Sequence, residues 1–139
     1  MAKPHIFRAL LSNPDRPYRL VNDTRSLVLA RVEPAFDSSA RRTGLLGRQS
    51  LPHDTVLAIA PSNAIHTFAM QFPIDVLYIR RDGTVVKRVL ALKPRRLSAA
   101  WGGFAVLEFG AGHPGVGATQ VGDRLRIEEG EIESGARGL

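Results

Sequence analysis

The chain has 139 residues, 44% of them hydrophobic, which is enough for one compact domain with its own core and too short for two. It contains no cysteine, which excludes disulfides and thiolate metal sites, and its formal net charge of +6 raises the question of an anionic partner. No segment approaches the roughly 20 apolar residues of a membrane span, and charge and proline interrupt the N-terminal stretch before a secretory core forms, so a cytoplasmic location and no membrane partner are expected.

Residues 1–24 carry Pro4, Pro14 and Pro17 with turn formers at Asn13, Asp15, Asn22 and Asp23, and read as a loosely ordered arm with one short strand at most. A single domain is expected over residues 25–130. It starts with RSLVLARV at 25–32, aliphatic and β-branched between polar ends, a strand that Pro34 stops. DSSARRTGLLGR at 37–48 predicts a short helix. Asp37 or Ser38 caps its start, Ala40, Leu45 and Leu46 supply an inner face, and Gly47 closes it.

TVLAIAP at 55–61 is the next strand, ended by Pro61 and the turn-prone Ser62-Asn63. IHTFAMQFPIDVLYI at 65–79 splits at Phe72-Pro73, because proline lacks the amide hydrogen that a central ladder needs. Residues 65–70 form a short element whose type the pattern leaves open. Beyond the break, DVLYIRRDGTVVKRVLAL at 75–92 predicts a hairpin turning at Asp82-Gly83, where glycine takes positive φ without strain. Arg80, Arg81, Lys87 and Arg88 fall toward its outer end, where charge deters edge pairing.

KPRRLSAAWGG at 93–103 reads as a loop, FAVLEFGAG at 104–112 as a strand with Glu108 embedded in it, and HPGVGATQ at 113–120 as a glycine-rich connection. In DRLRIEE at 123–129, Leu125 and Ile127 alternate with Arg124 and Arg126, the pattern of a last half-buried strand. EIESGARGL at 131–139 reads as a frayed tail. The fold class is therefore mainly β with some helix (α+β): a small, partly closed β-barrel or curled antiparallel or mixed sheet, with one short helix packed over an opening.

The segments ARRTGLLGR at 40–48, IHTFAMQFPIDVLYI at 65–79, DG at 82–83, VLEFGAG at 106–112 and GD at 122–123 occur in one order along the chain. In that order and rough spacing they resemble the family catalogued as domain of unknown function 192, from residue 25 to about 129. That family commonly has Arg…Gly-Leu-Met-Gly-Arg, and Leu46 stands where its Met is frequent. It also commonly has a Phe-Trp-Met-Lys-Asn-Thr type segment before Pro-Leu-Asp. Here His66-Thr67-Phe68-Ala69-Met70 departs from it, keeping the Met and, later, Pro73-Ile74-Asp75. The resemblance implies a small β-rich domain and no particular reaction.

The polar residues within the apolar runs are the candidate site. His66 suits a general base or a ligand contact, since imidazole as a group changes charge near neutral pH, or else is a hydrogen-bonded rim residue. Asp75 is placed to orient His66 or bind a hydroxyl; more simply, it accepts backbone amide hydrogens freed at the break. Glu108, if it faces the interior, needs a cation or a proton, and Arg41 and Arg48 are its natural partners, which would make an ion pair fastening helix to sheet. Met70 and Phe72 read as core.

His5, His53, His66 and His113 lack metal-ligand spacing, and no phosphate loop, dinucleotide fingerprint or nucleophile elbow occurs. No metal and no cofactor is therefore expected. The leading expectation is a binding module whose concave face, built from His66, Thr67, Asp75, Glu108, Arg41 and Arg48, takes a small polar ligand or a protein segment, with polyhydroxylated molecules suited to it. An enzyme using His66 with Glu108 or Asp75 as acid and base is the second, and a basic protein using the Arg80–Arg96 cluster on an anionic partner is the third. Nucleic acid is not expected, since a basic patch alone supplies only nonspecific affinity. The chain is expected to be a monomer or weak dimer.

Overall fold

The computed structural model describes residues 5–68 and 70–132. In chain order these form α1 (Arg8–Ser12), β1 (Tyr18–Asn22), β2 (Leu27–Ala35), α2 (Ser38–Thr43), β3 (Thr55–Ile59) and β4 (Ala64–His66). There follow β5 (Ile74–Ile79), β6 (Val85–Leu92), β7 (Leu97–Ala99), β8 (Ala105–Gly110), α3 (Pro114–Ala118) and β9 (Leu125–Glu129). Seven strands make one sheet in the order β6-β5-β8-β3-β2-β1-β9, and β4 and β7 pair separately as a two-stranded ribbon. The sheet is mixed: β2 and β3 run parallel, joined through α2, while the other neighbours are antiparallel. A parallel pair needs such a crossover because a tight turn reverses the chain.

The sheet curls until its two edges meet at one end. There the Val85 amide donates to the Asp123 carbonyl at 2.9 Å and the Leu125 amide donates to the Gly83 carbonyl at 2.9 Å. Gly83 makes this approach possible. Its φ is +94°, and a Cβ there would lie 2.2 Å from the Leu125 carbonyl oxygen. The result is a curled half-barrel, as the strand pattern predicts.

Because side chains alternate along a strand, the sheet has two apolar faces and two cores. Inside the curl, Leu77, Ile79, Leu107 and Phe109 pack with Val56, Leu20, Leu125 and the α1 side of the molecule. On the opposite face, Leu57, Ile59, Val76, Tyr78 and Val106 pack with Leu45, Leu51, Met70 and Ala100. Both β5 and β8 are buried along their whole length, so they contribute to both cores at once.

Several expectations are corrected. Within the stretch 1–24 taken for a loose arm, Phe7, Leu10, Tyr18 and Leu20 are core residues, and β1 lies inside the sheet between β2 and β9. The Tyr18 hydroxyl is 2.9 Å from the carbonyls of Ala9 and Asn13, which ties α1 to β1 across the prolines. Pro34 does not stop its strand: β1 flanks β2 only over Leu27–Arg31, so beyond Arg31 one side of β2 needs no amide donor.

Gly44, at φ +47°, closes α2 earlier than Gly47 would, and Asp37 caps its start by accepting the Ala40 amide at 2.7 Å. The segment 93–103 contains β7, and 113–120 contains α3, capped by the His113 ring. Most of the tail 131–139 lies outside the described residues.

Candidate functional site

Glu108 sits in the middle of β8, opposite Leu57 of β3 on one side and Val76 of β5 on the other. Directly opposed residues share a face, so the carboxyl emerges among the aliphatic side chains of the outer core. It is 5% exposed, and among the described residues it makes no hydrogen bond and no ion pair. Burial pushes its pKa up from 4.5 to about 7, with the more distant Arg48 charge working in the opposite direction.

A half-open cavity of about 640 Å³ lies over this carboxyl. Leu45, Ile59, Ile65, Met70 and Ile74 line it as apolar wall, and Arg41, Arg42, His66 and Ser62 supply polar groups. Ser38 and Thr43 add hydroxyls to the lining, and a volume of this size is in the range of small-molecule sites. The α2 turn brings the arginines there, Gly44 and Leu45 follow it in the lining, and β4 forms the far wall. Arg41 also donates to the Phe36 carbonyl, which holds its guanidinium against the start of α2.

The expected constellation is only partly assembled. Glu108, His66, Thr67 and Arg41 line one cavity. Asp75 does not: it opposes Phe109, one residue out of phase with Glu108, and therefore points to the inner face of the sheet. There one carboxylate oxygen accepts the Ala91 amide at 2.8 Å and the other accepts the amides of Gly112 at 3.0 Å and His113 at 3.2 Å. Asp75 thus accepts backbone amides, but they come from Ala91, Gly112 and His113 and not from the Pro73 break.

Thr67 lines the cavity with its hydroxyl already committed. It donates to the Lys93 carbonyl at 2.7 Å and accepts the Arg96 amide at 2.8 Å, fastening β4 to the segment before β7. Arg48 pairs with Glu33 of β2 and not with Glu108, so the expected ion pair joining helix to sheet through Glu108 does not form. His66 is exposed at the cavity rim and stacks on Phe68, with ring centroids 5.6 Å apart.

Arg42 enters the site without having been singled out. The Arg41-Arg42 doublet following the Asp37 cap was its only signal. Tyr78 was also missed: its hydroxyl is buried on the cavity-side core and, like that of Ser98, has no hydrogen-bond partner among the described residues. Burial raises the Tyr78 pKa, the nearby Ser98 hydroxyl opposes this, and the Glu108 charge adds to it. Among the described residues no group of three or more His, Asp or Glu side chains is placed to hold a metal ion, and no helix is long and apolar enough to cross a membrane.

Comparison with known proteins places this fold. The model of the domain of unknown function 192 family, described as an uncharacterized ACR, matches residues 20–127. The chain belongs to that family. The match begins inside β1 and ends inside β9, so it spans β2 to β8 whole and part of each of those two strands of the domain of unknown function 192 sheet.

Two solved structures share the fold. One, a suggested transcription regulator from Sinorhizobium meliloti, is 24% identical with a TM-score of 0.69, covering 82% of this chain and 92% of its own. The other, a protein of unknown function from Novosphingobium aromaticivorans, is 21% identical with a TM-score of 0.68, covering 79% of this chain and 83% of its own. No curated protein matches the chain.

Proposed function

We propose that this domain is a binding module for a small molecule held in the cavity over Glu108. One observation carries the proposal: a buried carboxyl without a hydrogen-bonding partner opens onto a cavity of about 640 Å³. Largely desolvating a carboxyl that no protein group bonds opposes folding, so a ligand that reaches it through the cavity explains its position better than stability does. The matching ligand carries a hydroxyl or amine that reaches Glu108, an apolar body against Leu45, Ile65 and Met70, and an oxygen-rich end near Arg41, Arg42 and His66. With Asp75 turned away and the Thr67 hydroxyl in use, a polyol loses two of its expected partners, and the apolar wall of Leu45, Ile59, Ile65, Met70 and Ile74 favours an amphipathic molecule. A cytoplasmic location is part of the same proposal, since a cysteine-free chain gains nothing from an oxidising compartment.

The test is a titration with hexanediol, aminohexanoate, hexanoate and glucose, followed by the methyl resonances of Met70, Leu45 and Ile65. Shifts confined to these methyls with hexanediol or aminohexanoate, and lost in Glu108→Leu, support the module. Shifts scattered over the surface, or none, refute it. A second reading, acid-base catalysis of hydrolytic type, is favoured by the Glu108 pKa of about 7, which suits a proton donor or acceptor at neutral pH. In that case Glu108→Gln retains ligand and loses turnover.

A further inference from the structure

Strand β4 borders the cavity, but no residue of β7 or of the surrounding segment 93–103 lines it. Ala64 opposes Ala99 and His66 opposes Leu97, and along both strands exposure alternates with period 2. Ile65 faces inward and lines the cavity. Phe68 lies two residues beyond β4 and Trp101 two residues beyond β7. Leu97 is 75% exposed, Phe68 47% and Trp101 99%, so three large apolar side chains stand in solvent on one short ribbon.

Along the segments that carry the ribbon, charge has a single sign. Residues 55–74 and 83–107, which include both strands of the ribbon, contain no Asp or Glu, while Lys93, Arg95 and Arg96 lie just ahead of Leu97. All three cations are exposed or partly so, and among the described residues none makes an ion pair. The ion pairs present gather elsewhere, mainly on β1, β9 and their flanks. Arg96 donates to the Pro94 and Arg95 carbonyls, which keeps its guanidinium beside the ribbon.

We propose that the outer face of the β4–β7 ribbon docks this domain on an anionic phospholipid bilayer, with Trp101, Leu97 and Phe68 entering the headgroup region and Lys93, Arg95 and Arg96 meeting lipid phosphates. Tryptophan beside basic residues is the composition that settles at such an interface, and each cation near an anionic surface strengthens binding about fivefold. A single-stranded nucleic acid fits less well. Phe68 already has a face covered by His66, and Leu97 at the centre offers no ring for a base. The docking differs from a membrane span, which the chain does not contain among its described helices.

Trp101 is the one tryptophan of the chain, so its emission reports this face alone. The full-length protein is mixed with vesicles of phosphatidylcholine and with vesicles containing phosphatidylglycerol, and both emission and co-sedimentation are read. The expected result is a blue shift and sedimentation with the anionic vesicles only. Leu97→Ser should weaken co-sedimentation about tenfold, and Arg95→Gln with Arg96→Gln should weaken it by a further factor of about five for each charge. Both sites are exposed, so unchanged melting of these variants is expected and is checked alongside.

Absence of binding overturns the proposal, as does binding without any change in emission, which is charge attraction only. It is equally overturned if oligothymidylate quenches Trp101 and displaces the vesicles, or if the blue shift arises without lipid as the protein dimerises.

Discussion

Glu108 carries the largest functional weight of any single residue here, and its titration has a definite sign. Its folded pKa of about 7 lies above the ordinary 4.5, so between these values the folded chain holds a proton that the unfolded chain releases. Stability from this group is fully present below about pH 4.5 and is lost as pH rises through 7. The loss is on the order of 3 kcal/mol once the carboxylate is charged. Glu108→Gln keeps the shape without the charge. Its urea midpoint at pH 8 should exceed that of the parent by an amount worth roughly 2–3 kcal/mol, and the difference should shrink toward pH 5. Equal midpoints at both pH values would show that the carboxyl is solvated after all.

Asp75 has a structural role instead, because three backbone amides depend on its two oxygens. Asp75→Ala leaves them without partners in a buried setting and should cost about 3 kcal/mol or more in chemical denaturation. The Met70 and Ile65 methyl shifts on ligand addition should remain as in the parent, since Asp75 faces away from the cavity.

At the scale of elements, closure of the half-barrel hangs on the turn between β5 and β6. Gly83 combines a positive φ with backbone contact to Leu125, so Gly83→Ala introduces both strain and a clash. A destabilisation of about 2 kcal/mol or more is expected. Hydrogen exchange should show the Val85 and Leu125 amides losing protection before those of β8, because the former bond only across the seam.

The short α3 depends on a neutral imidazole. The His113 Nδ1 accepts the Gly115 and Val116 amides, while Nε2, 2.8 Å from the Leu29 carbonyl, acts as the donor. Burial is the main cause holding the His113 pKa below 6.5. Folding thus disfavours its proton, and stability from His113 is lost as pH falls below about 6.5. His113→Ala should flatten the acid limb of the stability profile while lowering stability at pH 7, as followed by urea midpoints.

Over the whole molecule, the half-barrel needs its N-terminal segment. Phe7 is buried against Phe36, with ring centroids 5.0 Å apart, at the heart of the inner core. Phe7→Ala should cost about 3–5 kcal/mol, read from the shift in denaturation midpoint. A loose arm would lose almost nothing, so this variant separates the two descriptions of residues 5–22 cleanly.

Turn chemistry and strand composition were legible from the residues themselves. Asp82-Gly83 marks the turn between β5 and β6, alternation at Leu125 and Ile127 marks β9, and the Pro73 break separates β4 from β5, because each of these signals lies within a few adjacent residues. Helix α1 and strand β7 were hidden: their segments are short and rich in charge or proline, and only packing against distant strands makes them regular. The presence of Glu108 in a buried strand was likewise local information. Its company was not, since register decides which face a side chain takes, and one residue of offset sends Asp75 and Glu108 to opposite sides of the same sheet. The sequence by itself determined the β-rich class and the carboxyl's place within an apolar run. Tertiary pairing alone decided that Arg48 bonds Glu33, that Arg42 joins the cavity, and that Glu108 is left uncompensated there, because these are contacts between segments no local pattern relates.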